Sequence, residues 1–295
     1  MNEIVELCEG YKRLSDLDPL FELLQPYYHM EKTKPLLCAT PWKMVQKVKS
    51  NTAVLLIHGF QGYPGEMDYL GLKLYQSNFD VYCPRLPGHG VNAQDFLNTN
   101  KDDWLSVART SVGYLKKEYD NVFVVGHSMG GLIATIVAKE FNLERLGLIS
   151  PAFIIKGFSK FKVNLINLFK KEIEIDWHSD SSFWGICERD EKDDITLGKT
   201  YWSKLRPRPL LELNKLKEMG TRSLSKITSK TICILGEKDP SVDSIKVESL
   251  LKSKISSPLE IITIEGVNHL CQYFNEEDKR DYCNDSIVKS FTDLG

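Results

Sequence analysis

The stretch VVGHSMGG sets Gly126-His127-Ser128-Met129-Gly130 in the pattern G-x-S-x-G, after an apolar run of strand type and before one of helical period. A serine on such a tight turn has a strained backbone, which is why small residues flank it. Its hydroxyl is expected to stand exposed above the strand ends, at the positive end of a helix dipole. The plainer reading is a glycine-rich turn whose serine only caps the helix. Serine at its free pKa is a poor nucleophile, so chemistry here requires a histidine base that is itself oriented by a carboxylate.

Both partners are supplied downstream. ILGEKDPSV puts Asp239 in a turn just after a strand ending at Gly236, and ITIEGVNHL puts His269 in the loop after the next strand. Ser128, Asp239 and His269 therefore all fall at the carboxyl ends of strands, where open α/β sheets place their sites. Asp243 is the rival for the acid; Asp239 is favoured because the Asp-Pro turn begins directly after the strand. A tetrahedral acyl intermediate also needs backbone N–H groups aimed at its oxyanion. Met129, following the serine, and Phe60, in the turn of LLIHGFQG, are placed to supply them. His58, beside the turn glycine, and His89, within PRLPGHG, read better as hydrogen-bonded loop residues than as bases.

These residues are carried by a rhythm of short apolar runs that alternate with amphipathic stretches from residue 52 onward. The runs are TAVLLI (52–57), DVYC (80–83), NVFVV (121–125), RLGLIS (145–150), TICILG (231–236) and LEIITI (259–264). Strands apolar on both faces and separated by helices imply an α/β fold, a mostly parallel central sheet with helices on both faces. Helical stripes run through Trp104, Val107, Ala108, Ser111 and Leu115, and through Leu132, Ile133, Ile136 and Val137, with another helix over about 242–253.

Two regions break the rhythm. Residues 1–51 read as an N-terminal helical extension, with one stripe through Ile4, Leu7, Cys8, Tyr11 and Leu14 and another through Leu17, Leu20, Phe21 and Leu24. Asp18 and Pro19 suit the N-cap and first residue of the second helix. Residues 151–225 are too long for a simple connection and predict an inserted helical cap over one end of a core made of residues 52–150 and 226–295. The cap should hold a helix from Phe158 to Lys171, an acidic stretch from Glu188 to Asp194, a proline break at Arg206-Pro207-Arg208-Pro209, and a helix from Leu210 ended by Gly220. Its aromatics, Phe153, Phe158, Phe161, Phe169, Trp177, Phe183, Trp184, Tyr201 and Trp202, predict an apolar acyl pocket above the strand ends.

Composition narrows the classes. The 295 residues are 42% hydrophobic and 26% charged with a net charge of −2, and the basic residues are dispersed among the acids. That supports a sizeable core and gives no footprint for nucleic acid. The longest apolar runs fall far short of the roughly 18 to 20 residues of a membrane-spanning helix. MNEIVELCEG places acids where a secretory signal has basic residues, so the expected location is the cytoplasm. Seven scattered cysteines without a C-x-x-C pair read as reduced thiols rather than a metal or redox site, with Cys83 and Cys233 as small hydrophobes inside apolar runs.

Taken in chain order, HGF, LPGHG, GHSMGG, GEKDPSV and VNH resemble the α/β-hydrolase superfamily, and specifically its carboxylesterase and monoacylglycerol-lipase-like branch. The resemblance spans about residues 52–150 and 226–295 and reaches the cap only in position. It implies the eight-stranded α/β-hydrolase fold with Ser128, Asp239 and His269 as the triad. Serine at the nucleophile position separates the chain from haloalkane dehalogenases, which use aspartate, and dienelactone hydrolases, which use cysteine. The long N-terminal stretch and the aromatic cap depart from the compact esterases of this branch. The resulting expectation is a serine hydrolase that cleaves carboxylic esters of small alcohols, with short to medium acyl chains, through an acyl-enzyme and without a cofactor or metal. A thioesterase or acyltransferase would use the same triad. A catalytically silent receptor or binding module would not need serine, acid, histidine and both turns together.

Overall fold

The computed structural model describes residues 8–14, 17–157, 159–174 and 203–293. The main sheet has eight strands: β1 (Tyr11–Arg13), β2 (Trp42–Met44), β3 (Thr52–Ile57), β4 (Asp80–Cys83), β5 (Asn121–His127), β6 (Arg145–Ile149), β9 (Lys230–Gly236) and β10 (Leu259–Ile264). They lie in the order β1-β2-β4-β3-β5-β6-β9-β10. Neighbours pair in parallel from β4 to β10, and antiparallel where β2 joins β4 and β1 joins β2.

Successive side chains of a strand point to opposite faces, and in the central strands both sets are apolar. Leu55, Ile57 and Val124 enter one core with Leu105 and Val112 of α4 (Lys101–Glu118), Leu132 and Ile136 of α5 (Met129–Phe141), and Leu20 and Leu24 of α1 (Pro19–Tyr28). Val54, Leu56 and Val125 enter the other with Leu70 and Leu74 of α2 (Asp68–Gln76) and Ile287 and Phe291 of α9 (Glu277–Thr292). The two helical stripes read from the sequence are the buried faces of α4 and α5. Before α4 in chain order comes α3 (Ala93–Leu97), and after β9 comes α8 (Ser244–Lys254).

Residues 1–51 depart from the helical expectation. Asp18 does cap α1, its Oδ1 accepting from the N–H groups of Leu20 and Phe21 at 3.0 and 3.3 Å, with Pro19 in the first turn. Tyr11–Arg13 and Trp42–Met44, however, are strands of the main sheet, and Leu17 is 91% exposed. Strands of three residues are too short to display a period of two, so the sequence could not separate them from helix. Ile4 and Leu7 lie outside the described residues. Beyond α1, Glu31 makes a two-pronged bridge to Arg85 at 2.8 and 2.7 Å and accepts from the Gly88 N–H at 2.7 Å, tying this segment to the PRLPGHG loop.

In the inserted region, α6 (Lys160–Phe169) packs on α7 (Pro207–Ser223), which packs on α5. A small ribbon of β7 (Ile173–Glu174) and β8 (Lys204–Leu205) lies beside them. Gly220 does not end the second helix as expected. It lies inside α7 at the contact with α5, where an added Cβ would meet Phe153 and Leu132 at 3.4 and 3.5 Å, so packing overrides the local stop signal. Pro207 and Pro209 begin this helix rather than break one. Of the aromatics expected to line a pocket, Phe153 is buried while Phe161 and Phe169 are 77% and 80% exposed. Phe158, Trp177, Phe183, Trp184, Tyr201, Trp202 and the acidic stretch lie outside the described residues. Among the described residues no helix is long and apolar enough to cross a membrane, and Cys8, Cys38, Cys83, Cys233, Cys271 and Cys283 are buried.

Candidate active site

Ser128 stands between the end of β5 and the start of α5 with φ 52° and ψ −113°, a conformation that non-glycine residues hold only when their surroundings impose it. Its N–H donates to the Ile149 carbonyl at 2.9 Å, and its carbonyl accepts from Gly131 and Ala152 at 3.1 Å each. The flanking glycines are required by contact. A Cβ at Gly126 would fall 2.1 Å from the Gly130 carbonyl oxygen, and one at Gly130 would fall 2.1 Å from that of Ile57. The serine expected to be exposed is largely covered, at 9%.

The acid and the histidine come from the next two strand ends. Asp239, after β9, is 1% exposed. Its Oδ1 accepts from Ser241 and Val242 N–H at 2.7 and 2.8 Å, and its Oδ2 lies 2.6 Å from His269 Nδ1. The loop carrying His269 approaches because residue 236 is glycine: a Cβ there would stand 2.1 Å from the Asn268 carbonyl oxygen. The Lys238 N–H donates to the Val267 carbonyl at 2.9 Å and links the same two loops. Asp243, the rival acid, instead caps α8 by accepting from the Lys246 N–H at 3.1 Å. The first residues after β6 steady this turn, with Lys156 N–H donating to Ser241 and Asp243 N–H to Ile154, both at 2.9 Å.

Burial pushes the Asp239 carboxyl up, but the His269 hydrogen bond and the two N–H donors outweigh it and hold the group below the usual carboxylate range. For His269, burial pulls the imidazole down, Asp239 pulls it up and nearby His127 pulls it down again, with a net lowering. An ionised acid at Nδ1 fixes the neutral tautomer with Nδ1–H, which makes Nε2 the proton-accepting atom of the ring.

Beside the serine, Gly59–Gly62 form a turn closed by a 3.1 Å bond from the Gly62 N–H to the Gly59 carbonyl, with Gln61 at φ 56°. A Cβ at Gly59 would stand 3.4 Å from Ser128 Cβ, so the Gly59–Phe60 peptide lies next to the nucleophile. Met129 contributes the first N–H of α5. The Phe60 ring packs against Phe96 and Trp104, at 5.3 and 6.3 Å between centroids, and Gln61 Nε2 donates to the Lys204 carbonyl of β8 at 3.2 Å. His58 joins this turn to the next loop: its Nε2 accepts from the Leu86 N–H at 3.0 Å, which leaves Nδ1–H to donate to the Gly59 carbonyl at 3.0 Å. Burial holds His58 far below the ordinary histidine range and pushes buried His89 down to about 3. Neither contacts Asp239, and both bond to loop carbonyls.

The sequence profile of the family described as serine aminopeptidase, S33 matches residues 48–278. The chain belongs to this family. Among curated proteins, the S33-family chain is 37% identical over 87 residues to the thermostable monoacylglycerol lipase of Bacillus sp. (strain H-257), and 34% identical over 83 residues to the carboxylesterase of Bacillus subtilis (strain 168). These matches cover 30% and 28% of this chain and 35% and 34% of those proteins, so it matches about a third of each relative's length. Its structure superposes on one described among two metagenome-derived lipolytic enzymes with a TM-score of 0.73 at 19% identity, covering 88% of this chain and 99% of the other. The S33 chain has the α/β-hydrolase fold, as the sequence motifs imply.

His127 and Glu66 are part of the same neighbourhood and were not singled out by sequence reasoning. His127 was legible only as a filler position of G-x-S-x-G, and Glu66 carries no local signal at all.

Proposed function

We propose that this chain is a serine hydrolase of carboxylic esters, in which Ser128 attacks the ester carbonyl, His269 Nε2 takes its proton, and Asp239 orients the ring and stabilises the imidazolium. The N–H groups of Phe60 and Met129 receive the developing oxyanion. Collapse expels the alcohol, which takes the proton from His269. Water, activated by the same base, then attacks the acyl-enzyme and releases the acid and free Ser128. No cofactor or metal enters these steps. The observation that carries the reading is the 2.6 Å Asp239–His269 bond beside a serine held at positive φ on the elbow. The names of the relatives, a monoacylglycerol lipase and a carboxylesterase, support esters over peptides. We further infer acyl chains of short to medium length on a small alcohol and a cytoplasmic setting, which the buried thiols of Cys8, Cys83, Cys233, Cys271 and Cys283 support.

The test is turnover of soluble aryl esters alongside aminoacyl anilides, with a fluorophosphonate as probe. Esters should be cleaved, the probe should label Ser128 alone, and Ser128→Ala should lose about 10⁴-fold or more in kcat while keeping its melting transition. Cleavage of anilides without esters would overturn the ester reading. A fully active folded Ser128→Ala would overturn the mechanism.

A further inference from the structure

Directly before the nucleophile stands a second histidine that ester hydrolysis leaves unused. The His127 side chain is 3% exposed, its Nε2 lies 3.1 Å from the His269 backbone carbonyl, and its ring centroid is 4.9 Å from that of His269. A carbonyl oxygen can only accept, so Nε2 carries a hydrogen. Nδ1 has no hydrogen-bond partner and faces Glu66 Oε2 at 3.8 Å; that oxygen is likewise buried and unpartnered.

A polar atom buried without a partner is costly, so these two unpartnered atoms facing each other make one polar contact in a dry site. A separation of 3.8 Å suits an ion pair or a bridging water rather than a direct hydrogen bond. Its placement is specific. A Cβ at Gly62 would fall 2.4 Å from Glu66 Oε2, and one at Gly59 would fall 3.0 Å from His127 Nδ1. The two glycines of the oxyanion turn thus rest on the two members of the pair, while the far side of the His127 ring reaches the His269 loop.

We propose that Glu66 and His127 are positioning residues of the catalytic centre, a buried acid–base pair that holds the His269 loop by its carbonyl and supports the Gly59–Gly62 turn. The proposal rests on the triad reading given above. Two independent loops meet this one pair, so disturbing either member displaces the general base and the oxyanion donors without touching the substrate's binding surface. The chemical step is sensitive to such shifts: a misplacement of about 1 Å remote from the reacting atoms can cost about a hundredfold.

The test compares Glu66→Gln, His127→Gln and the double variant in the full chain, by steady-state kinetics on a soluble aryl ester and by nitrogen NMR of isotope-labelled histidine. Each single change should lower kcat by about tenfold to a hundredfold with KM within about twofold, and the double variant should be no worse than the poorer single, because the two act as a unit. The His127 signal, identified by its disappearance in His127→Gln, should show a hydrogen-bonded Nε2–H in the wild type and a changed hydrogen-bonding pattern in Glu66→Gln. An unchanged kcat in Glu66→Gln, an unchanged His127 signal, or losses that multiply in the double variant would overturn the pair. If His127→Gln fails to fold, the near-isosteric Glu66→Gln decides by its kcat and KM alone. A wild type inert toward esters and fluorophosphonate would refute the triad reading instead, and the spectra would still decide whether Glu66 and His127 are coupled.

Discussion

Asp239 and Asp243 lie in one turn and differ in what the chain does around them. Asp239 accepts two backbone N–H bonds and faces His269, while Asp243 accepts from the Lys246 N–H and pairs with the Lys246 ammonium at a helix start. Asp239→Asn should therefore lower kcat by about 10⁴-fold, since it favours the wrong histidine tautomer, whereas Asp243→Asn should keep kcat nearly intact because asparagine caps as well as aspartate. Steady-state rates of the two variants decide; the opposite ranking would reassign the acid. The direction of the His269 shift also sets a pH dependence. The base must be neutral to accept the serine proton, and a lowered pKa keeps it neutral further into acid. The acidic limb of kcat/KM should then have its midpoint below 6.5, the ordinary histidine value, so that activity persists as pH falls past 6.5 and is lost below that. A midpoint at or above 6.5 in a pH–rate profile would contradict this.

Among the elements, the segment before β3 is part of the core. It supplies two strands to the main sheet, buries Leu20 and Leu24 against the α4 side, and clamps the PRLPGHG loop through Glu31. The Glu31 and Arg85 side chains are 7% and 4% exposed, which puts their bridge in the class where removing one partner strands the other charge in a dry site. Glu31→Gln should cost about 3 kcal/mol in a denaturant melt. A loss typical of exposed pairs, below about 1 kcal/mol, would show that water reaches the bridge. The glycines at 126, 130 and 236 belong to this scale as well. Gly126 lets the elbow fold back onto the start of its own helix, Gly130 lets that helix start touch the end of β3, and Gly236 lets the loop carrying His269 approach the end of β9.

For the whole molecule, the open matter is which surface receives the acyl chain. Of the described residues of the insertion, Lys204 of β8 bonds to Gln61 of the Gly59–Gly62 turn, and α7 is seated on α5. If the insertion and the core together enclose an apolar pocket, each methylene buried adds up to about 0.8 kcal/mol, or roughly fourfold in kcat/KM. A series of aryl esters from acetyl to decanoyl should show this rise and then a plateau once the pocket is filled. A flat profile from the shortest acyl group onward would mean that the chain extends into solvent. Replacing part of residues 153–205 by a short linker should flatten the profile more than it slows labelling of Ser128 by a fluorophosphonate. An unaltered profile would assign the acyl site elsewhere.

The sequence by itself determined what depends on neighbours along the chain. Six apolar runs were long enough to declare the parallel strands, the elbow serine was marked by its own flanking glycines, and Asp239 and His269 were marked by the strands that precede them. Only the tertiary structure decided what depends on which segments meet. Tyr11–Arg13 and Trp42–Met44 are strands because an open sheet edge next to β4 offers them backbone partners, not because three residues show a period. Gly220 continues a helix because α7 must lie close against Leu132, against its own tendency to end one. Glu66 and His127 are far apart in sequence, and nothing local couples them; they face each other because α2's approach and the end of β5 close over the same dry space. Periodicity and turn chemistry are local properties and can be read in order, whereas desolvation and close contact arise only when distant segments share a volume.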